Sequence, residues 1–111
     1  MKLKEIELHI IHLPLVRPFR TSFGTQTSRE VLMVKVTNEN GTVGWAECVA
    51  MSEPLYSPEY VIGCLDLMKR FLIPALKSKQ EISAEDVPTV LKPFLGGQMA
   101  KAALETTILD A

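Results

Sequence analysis

A chain of 111 residues, 47% hydrophobic and 23% charged, has the size and composition of one soluble globular domain, not of a disordered segment. Its formal charge of −1 is spread without a basic stripe interleaved with aromatics, which leaves nucleic-acid binding without support. No apolar run approaches the roughly 20 residues of a membrane span. The opening residues MKLKEIELHI set charges inside an apolar pattern and carry no small-residue cleavage site, so a secretory leader is not expected and the cytoplasm is the default compartment.

Residues 3–13 alternate, with Ile6, Leu8 and Ile10 on one face and Glu5, Glu7 and His9 on the other, which predicts a half-buried strand. His9 and His12, three apart on that strand, fall on opposite faces, cannot close on one metal, and read as surface histidines. Pro14 and Pro18 are expected to end the strand and open a loop, PFRTSFGT, at residues 18–25. That loop holds two phenylalanines, an arginine and three hydroxyls, a costly mixture to leave in water. A second strand is expected over residues 28–37, with Leu32, Val34 and Val36 on one side and Met33 and Lys35 on the other. The NENG turn follows, in which Asn40 and Gly41 tolerate positive φ. The third strand, TVGWAECV, pairs back antiparallel, and its row of small residues, Gly44, Ala46 and Cys48, predicts close approach of another backbone or helix. Trp45 is expected to cover one face of the sheet, and Glu47 to be a structural rim residue.

Residues 50–60 form a second loop, more apolar than a solvated connection requires. Ser57-Pro58 suits a helix start, and Val61, Leu65, Met68 and Leu72 recur at helical spacing until Pro74 helps stop the run. Asp66, Lys69 and Arg70 read as its solvated face. Ser83-Ala84-Glu85-Asp86 resembles a capping box ahead of a second helix that Pro88 keeps short and Gly96-Gly97 breaks. Cys48 and Cys64 are the only cysteines, without CxxC spacing. A disulfide between them is open, but in an apparently cytoplasmic chain two buried, reduced thiols are the expectation.

The last stretch, QMAKAALETTILDA, is a strong helix former whose apolar positions wrap most of the way round. It places Asp110 at the negative end of the helix dipole. That pattern predicts a helix that expects neighbours on several faces and is cut in mid-run; the alternative is a terminal helix docked in its own small domain.

Three antiparallel strands, a helical hairpin and an alanine-rich helix ending in LDA resemble the N-terminal capping domain of the enolase superfamily over the whole chain. The segments PLVRPFRTSFGTQTSRE, GWAECVAMSEPLYSPEY, FLIPAL and MAKAALETTILDA are similar to the o-succinylbenzoate synthase and N-acylamino acid racemase branch, in the group that includes muconate-lactonizing enzymes. The resemblance implies an α+β fold. A three-stranded antiparallel meander and helical hairpin form a cap over residues 1–97, and residues 98–111 begin a linker helix toward a (β/α) barrel absent from this chain.

In such enzymes the barrel supplies two lysines as acid and base and three carboxylates that hold Mg²⁺, which stabilises an enolate formed beside a carboxylate. No such group is expected here: Lys2 with Lys4 and Lys77 with Lys79 share the spacing of the lysine pair but read as solvated. The chain alone is therefore expected to carry no catalytic residue and no metal ligand, and to be inactive. The two cap loops would close the barrel over a small-molecule carboxylate substrate. Phe19, Phe23, Met51 and Tyr56 would exclude water and hold its apolar part. Arg20 would meet the substrate carboxylate or pair with a barrel acid, and Gln26, with Thr21 and Ser22, would bond the substrate or fix the turn.

On composition alone Phe19 and Phe23 read equally as plugs beneath their loop. The implied reaction is dehydration of a cyclohexadiene dicarboxylate to o-succinylbenzoate in menaquinone synthesis, with N-acylamino acid racemisation a second reaction that one site can serve. The alternatives are the cap of a dipeptide epimerase or muconate-lactonizing enzyme, or a stand-alone non-catalytic α+β binding module. Self-association through the final helix is open.

Overall fold

The computed structural model describes residues 1–21, 24–50 and 59–111, with residues 13–21 and 24–29 described by backbone alone. The alternating N-terminal pattern forms β1 (Leu3–Thr21), which pairs antiparallel with β2 (Gly24–Asn38). β2 in turn pairs antiparallel with β3 (Val43–Cys48), so the sheet order follows the sequence.

Register puts Leu8, Val34 and Ala46 in one cross-strand row and Glu7, Lys35 and Trp45 in the next. The first kind of row faces the core: Leu32, Val34, Val36, Ala46 and Cys48 are buried, as their spacing requires. The second faces outward. There the Lys35 ammonium lies 3.5 Å from Glu7 and 5.5 Å from the Trp45 ring centre. The His9 ring lies 5.9 Å from the same indole, with its Nε2 3.5 Å from Glu7. Trp45 is thus the cover of a solvated face, 44% exposed. His12, also exposed, faces Glu30 at 3.9 Å.

The strands are longer than the prolines suggested. β1 continues through Pro14 and Pro18 to Thr21, and β2 begins at Gly24, so Pro18–Thr21 and Gly24–Thr25 extend the paired strands and do not form a loop; Ser22 and Phe23 lie outside the described residues. β1 is an edge strand, where a missing N–H costs no ladder bond on the open side, and the register shifts between Pro14 and Phe19. In the NENG turn only Gly41 takes positive φ, at 90°. Asn40 contributes through its side chain, which accepts from the Thr42 N–H and hydroxyl at 3.1 and 2.8 Å. The buried Asn38 side chain accepts the Asn40 and Thr42 N–H groups at 3.2 and 3.0 Å.

The first helical run is α1 (Val61–Leu67), a π-helical turn (Met68–Leu72) and α2 (Ile73–Lys77), end to end. Helix α1 begins at Val61, with an extended Tyr60 before it; the expected start at Ser57-Pro58 lies outside the described residues. Pro74 does not stop the run. It sits in the first turn of α2, directly after the π turn, where the wider winding removes the demand for its absent N–H. The expected stripe is largely right: Val61, Met68 and Leu72 are buried with Cys64 and Leu76, while Leu65 is half-buried. Asp66 and Arg70, 3.5 Å apart, are exposed.

The capping box forms ahead of a 3-10 turn (Ala84–Asp86) and the short α3 (Val87–Leu91): the Ser83 N–H and hydroxyl donate to the Asp86 carboxylate at 2.9 and 3.1 Å. These bonds hold the exposed Asp86 below the ordinary carboxylate value, the backbone donor contributing most. Gly96 and Gly97, at φ of 69° and 65°, then turn the chain into α4 (Gln98–Asp110).

Helix α4 docks by one stripe. Ala100, Ala103, Leu104, Thr107 and Ile108 are buried, whereas Ala102, Thr106 and Leu109 are exposed, so among the described residues only one of its apolar faces is covered. An exposed alanine such as Ala102 costs almost nothing while favouring helix, whereas Leu109 leaves a large apolar side chain uncovered. Asp110 is compensated from outside the helix: its carboxylate accepts the Trp45 backbone N–H at 2.8 Å. The small row on β3 makes this approach possible. A Cβ at Gly44 would lie 2.3 Å from the Thr107 carbonyl oxygen and 2.6 Å from the Ala111 nitrogen.

Candidate functional site

The hairpin end and the segment after β3 are where the sequence places substrate-facing residues. In the hairpin, Phe19 lies opposite Gln26, Arg20 opposite Thr25, and Thr21 opposite Gly24. Three of the six candidates, Phe19, Arg20 and Gln26, are therefore brought together within the last three cross-strand pairs of a two-stranded ribbon. Phe23, Met51 and Tyr56 lie outside the described residues.

The ends of the second segment are defined. On its N-terminal side Val49 is exposed and Ala50 buried in the core, directly after Cys48. On its C-terminal side Glu59 reaches across to α4. Its carboxylate accepts the Met99 N–H at 2.7 and 2.9 Å and the Ala100 N–H at 3.3 Å. A 13-residue helix needs acceptors for its first N–H groups, and here the N-cap residue is Gly97, which has no side chain to offer. Glu59 supplies the missing acceptor from a distant part of the chain, and its negative charge complements the helix dipole. Sequence reasoning did not single out Glu59. The available signal was a strong helix opening with Gly-Gly and no Ser, Thr, Asp or Asn at its start.

Beside this carboxylate lies a pair of thiols. Cys64, in α1, donates its S–H to Glu59 Oε1 at 3.8 Å, and Cys48 lies at the end of β3. Both cysteines are free and buried, in agreement with the expectation for the pair. Interaction with the Cys64 thiol lowers the Cys48 pKa from the ordinary thiol value; interaction with Cys48, then burial, and then the Glu59 carboxylate push Cys64 up. An open cavity of about 220 Å³ reaches this region, lined by Glu59, Tyr60, Gly63, Cys64, Leu67 and Gly97. Its glycines allow tight walls: a Cβ at Gly63 would lie 2.9 Å from the Tyr60 ring, and one at Gly97 2.3 Å from Leu67 Cδ2.

Glu47 is half-buried near the end of β3. Among the described residues no group of three or more His, Cys, Asp and Glu could hold a metal ion, and no helix is long and apolar enough to cross a membrane. The donor set a Mg²⁺ ion requires is thus not assembled by these residues.

Residues 5–111 match the family described as the mandelate racemase / muconate lactonizing enzyme N-terminal domain. An N-succinylamino acid racemase of Amycolatopsis sp is 49% identical over 111 residues, all of this chain and 30% of the relative. An o-succinylbenzoate synthase of Bacillus subtilis (strain 168) is 33% identical over 110 residues, 99% of this chain and again 30% of the relative. The crystal structure of a member of the enolase superfamily from Listeria innocua Clip11262 superposes with a TM-score of 0.93 at 31% identity, covering 100% of this chain and 30% of that one. The chain thus spans under a third of the length of the curated relatives it matches.

Proposed function

Because the chain belongs to the mandelate racemase / muconate lactonizing enzyme N-terminal domain family, we propose that it is the substrate-specificity cap of an o-succinylbenzoate synthase that also racemises N-acylated amino acids. The observation that carries this reading is similarity along the whole chain to relatives bearing each of those two names, at 49% and 33% identity. Both reactions begin with loss of a proton beside a carboxylate, so one site can serve both.

In this reading the partner of the cap is a (β/α) barrel outside the chain. The barrel would bring the lysines and the carboxylates that would hold a Mg²⁺ ion, whose charge would stabilise negative charge developing beside the substrate carboxylate. The cap performs no proton transfer. Its task is to close the site: Phe19, Phe23, Met51 and Tyr56 exclude water and hold the apolar part of the substrate, while Arg20 and Gln26 orient its polar groups. A hairpin end suits that task. After the register shift between Pro14 and Phe19 the ladder resumes with Phe19 opposite Gln26 and runs to Thr21 opposite Gly24, so the cross-strand pairing holds Phe19, Arg20 and Gln26 in fixed register.

The test is a chimera in which residues 1–111 replace the cap of the Amycolatopsis racemase. The chimera is expected to turn over both the synthase and the racemase substrates. Phe19→Ala and Phe23→Ala are each expected to lower kcat/KM by roughly tenfold or more while leaving Tm nearly unchanged. A large drop in Tm with kcat/KM intact would instead make these residues plugs of the fold. The 111-residue chain by itself is expected to show no Mg²⁺-dependent turnover.

A further inference from the structure

The two edges of the sheet differ. On the β3 edge the Trp45 N–H donates to Asp110, and the end of α4 lies against Gly44. The β1 edge, among the described residues, is covered only at its start, where Met1 and Ile82 exchange two bonds at 2.8 Å. No backbone bond among those residues joins positions 4–12 to any part of the chain but β2. The register is unbroken from Glu5 to Pro14, and the prolines that blunt an edge come only at Pro14 and Pro18.

The inward row of β1 is also incompletely covered. Val36, Val34 and Leu32 of β2 are 0% exposed, whereas the residues opposite them, Ile6, Leu8 and Ile10, are only half-buried. A second β1 laid alongside would cover that row if its own inward residues met it. Directly opposed residues of an antiparallel pair share a face, so a two-fold centre must fall on a residue and not between two. Centred on Glu7, carboxylate meets carboxylate; centred on His9, inward-facing Ile6 meets His12. Centred on Leu8, Ile6 meets Ile10, Leu8 meets Leu8, and each Glu7 carboxylate meets the imidazole of His9 in the other copy, which carries an N–H donor in either protonation state.

We propose that two copies of this chain pair antiparallel along Glu5–Ile11 of β1, about a two-fold axis at Leu8, and join their three-stranded sheets into one. The backbone groups on the open side of each β1 then complete a ladder, and the Ile6, Leu8 and Ile10 rows of the two copies close over each other. On the outer face the two new Glu7–His9 pairs add to the Glu7–His9 and Glu7–Lys35 contacts, each 3.5 Å, within one chain. The arrangement is self-complementary and uses up both edges, so association stops at two copies. This inference stands independently of the enzymatic reading.

Sedimentation velocity over about a hundredfold range of concentration should show monomer and dimer in exchange. Register is read by cross-linking. Directly opposed residues of an antiparallel pair stand about 4.5–5.5 Å apart at Cα, within reach of a disulfide. Mild oxidation of Leu8→Cys should therefore give a covalent dimer joined at position 8 in the peptide map, whereas Leu109→Cys, on the exposed side of α4, should not. His9→Glu sets four carboxylates together across the axis and is expected to weaken dimerisation by roughly tenfold or more, with Tm of the dilute monomer nearly unchanged because His9 is exposed. The unsubstituted protein and the position-8 cross-link decide the question even if His9→Glu fails to fold. A monomer at every concentration, a dimer that cross-links at position 109 and not at 8, or a folded His9→Glu protein that dimerises as tightly as the parent would each overturn the proposal.

Discussion

Replacing Gly44 by alanine adds one methyl group to β3, and the structure says where it would go. The new carbon would lie 2.3 Å from the Thr107 carbonyl oxygen, 2.6 Å from the Ala111 nitrogen and 2.8 Å from the Ala111 Cβ. Two of the three are backbone atoms, so no side chain can swing aside; the last turn of α4 must retreat by about 1 Å to restore ordinary contact. Such overpacking costs roughly 1–3 kcal/mol. The retreat also stretches the 2.8 Å bond from the Trp45 N–H to Asp110, worth about another 1 kcal/mol or more because the acceptor is charged. A total of about 2–4 kcal/mol is expected, which for a domain of this size lowers Tm by about 8–16 °C. Urea and thermal unfolding followed by circular dichroism would measure it. Ala46→Gly, which removes a methyl from the same row without a clash, is the control for general weakening of the strand. A Gly44→Ala variant within about 0.5 kcal/mol of the parent would mean that α4 does not rest on β3.

Two other perturbations probe the remaining joints. Glu59→Ala removes the acceptor shared by the Met99 and Ala100 N–H groups and is expected to cost about 2 kcal/mol, with Glu59→Gln intermediate; equal stability of all three proteins in urea would remove the carboxylate from its capping role. Asp86 is held below its ordinary value by the Ser83 donors. Its contribution is therefore present above the unfolded-state value, about 3.9, and is lost as pH falls through the lower folded-state pKa. The stability gap between the parent and Asp86→Asn should thus be steady near neutrality and close in acid; a gap unchanged down to about pH 2 would contradict the capping box.

Much of the architecture was legible because it rests on short-range periodicity. The period-two pattern of Leu32, Val34 and Val36 can bury only one face, the sequence Ser83 to Asp86 can cap only the helical turn it opens, and the small residues of β3 require that something press against them. The misreadings share one cause. Pro14, Pro18 and Pro74 are breakers when only their neighbours in sequence are weighed, yet their cost depends on whether a partner awaits the missing N–H. An edge strand and a π turn both remove that demand.

The candidate site divides along the same line. Aromatic and hydroxyl residues in PFRTSFGT are a compositional oddity visible in the letters, and the cross-strand meeting of Phe19 with Gln26 needed the register. The sequence by itself determined the three-strand-then-helix order, the inward faces and the turn at Gly41, because each depends on neighbours a few residues away. Only the tertiary structure decided that Glu59 caps a helix 40 residues on and that Asp110 finds the Trp45 N–H. Those contacts join groups far apart in the chain, and a side chain's nearest partner in space leaves no periodic mark on either stretch that supplies it.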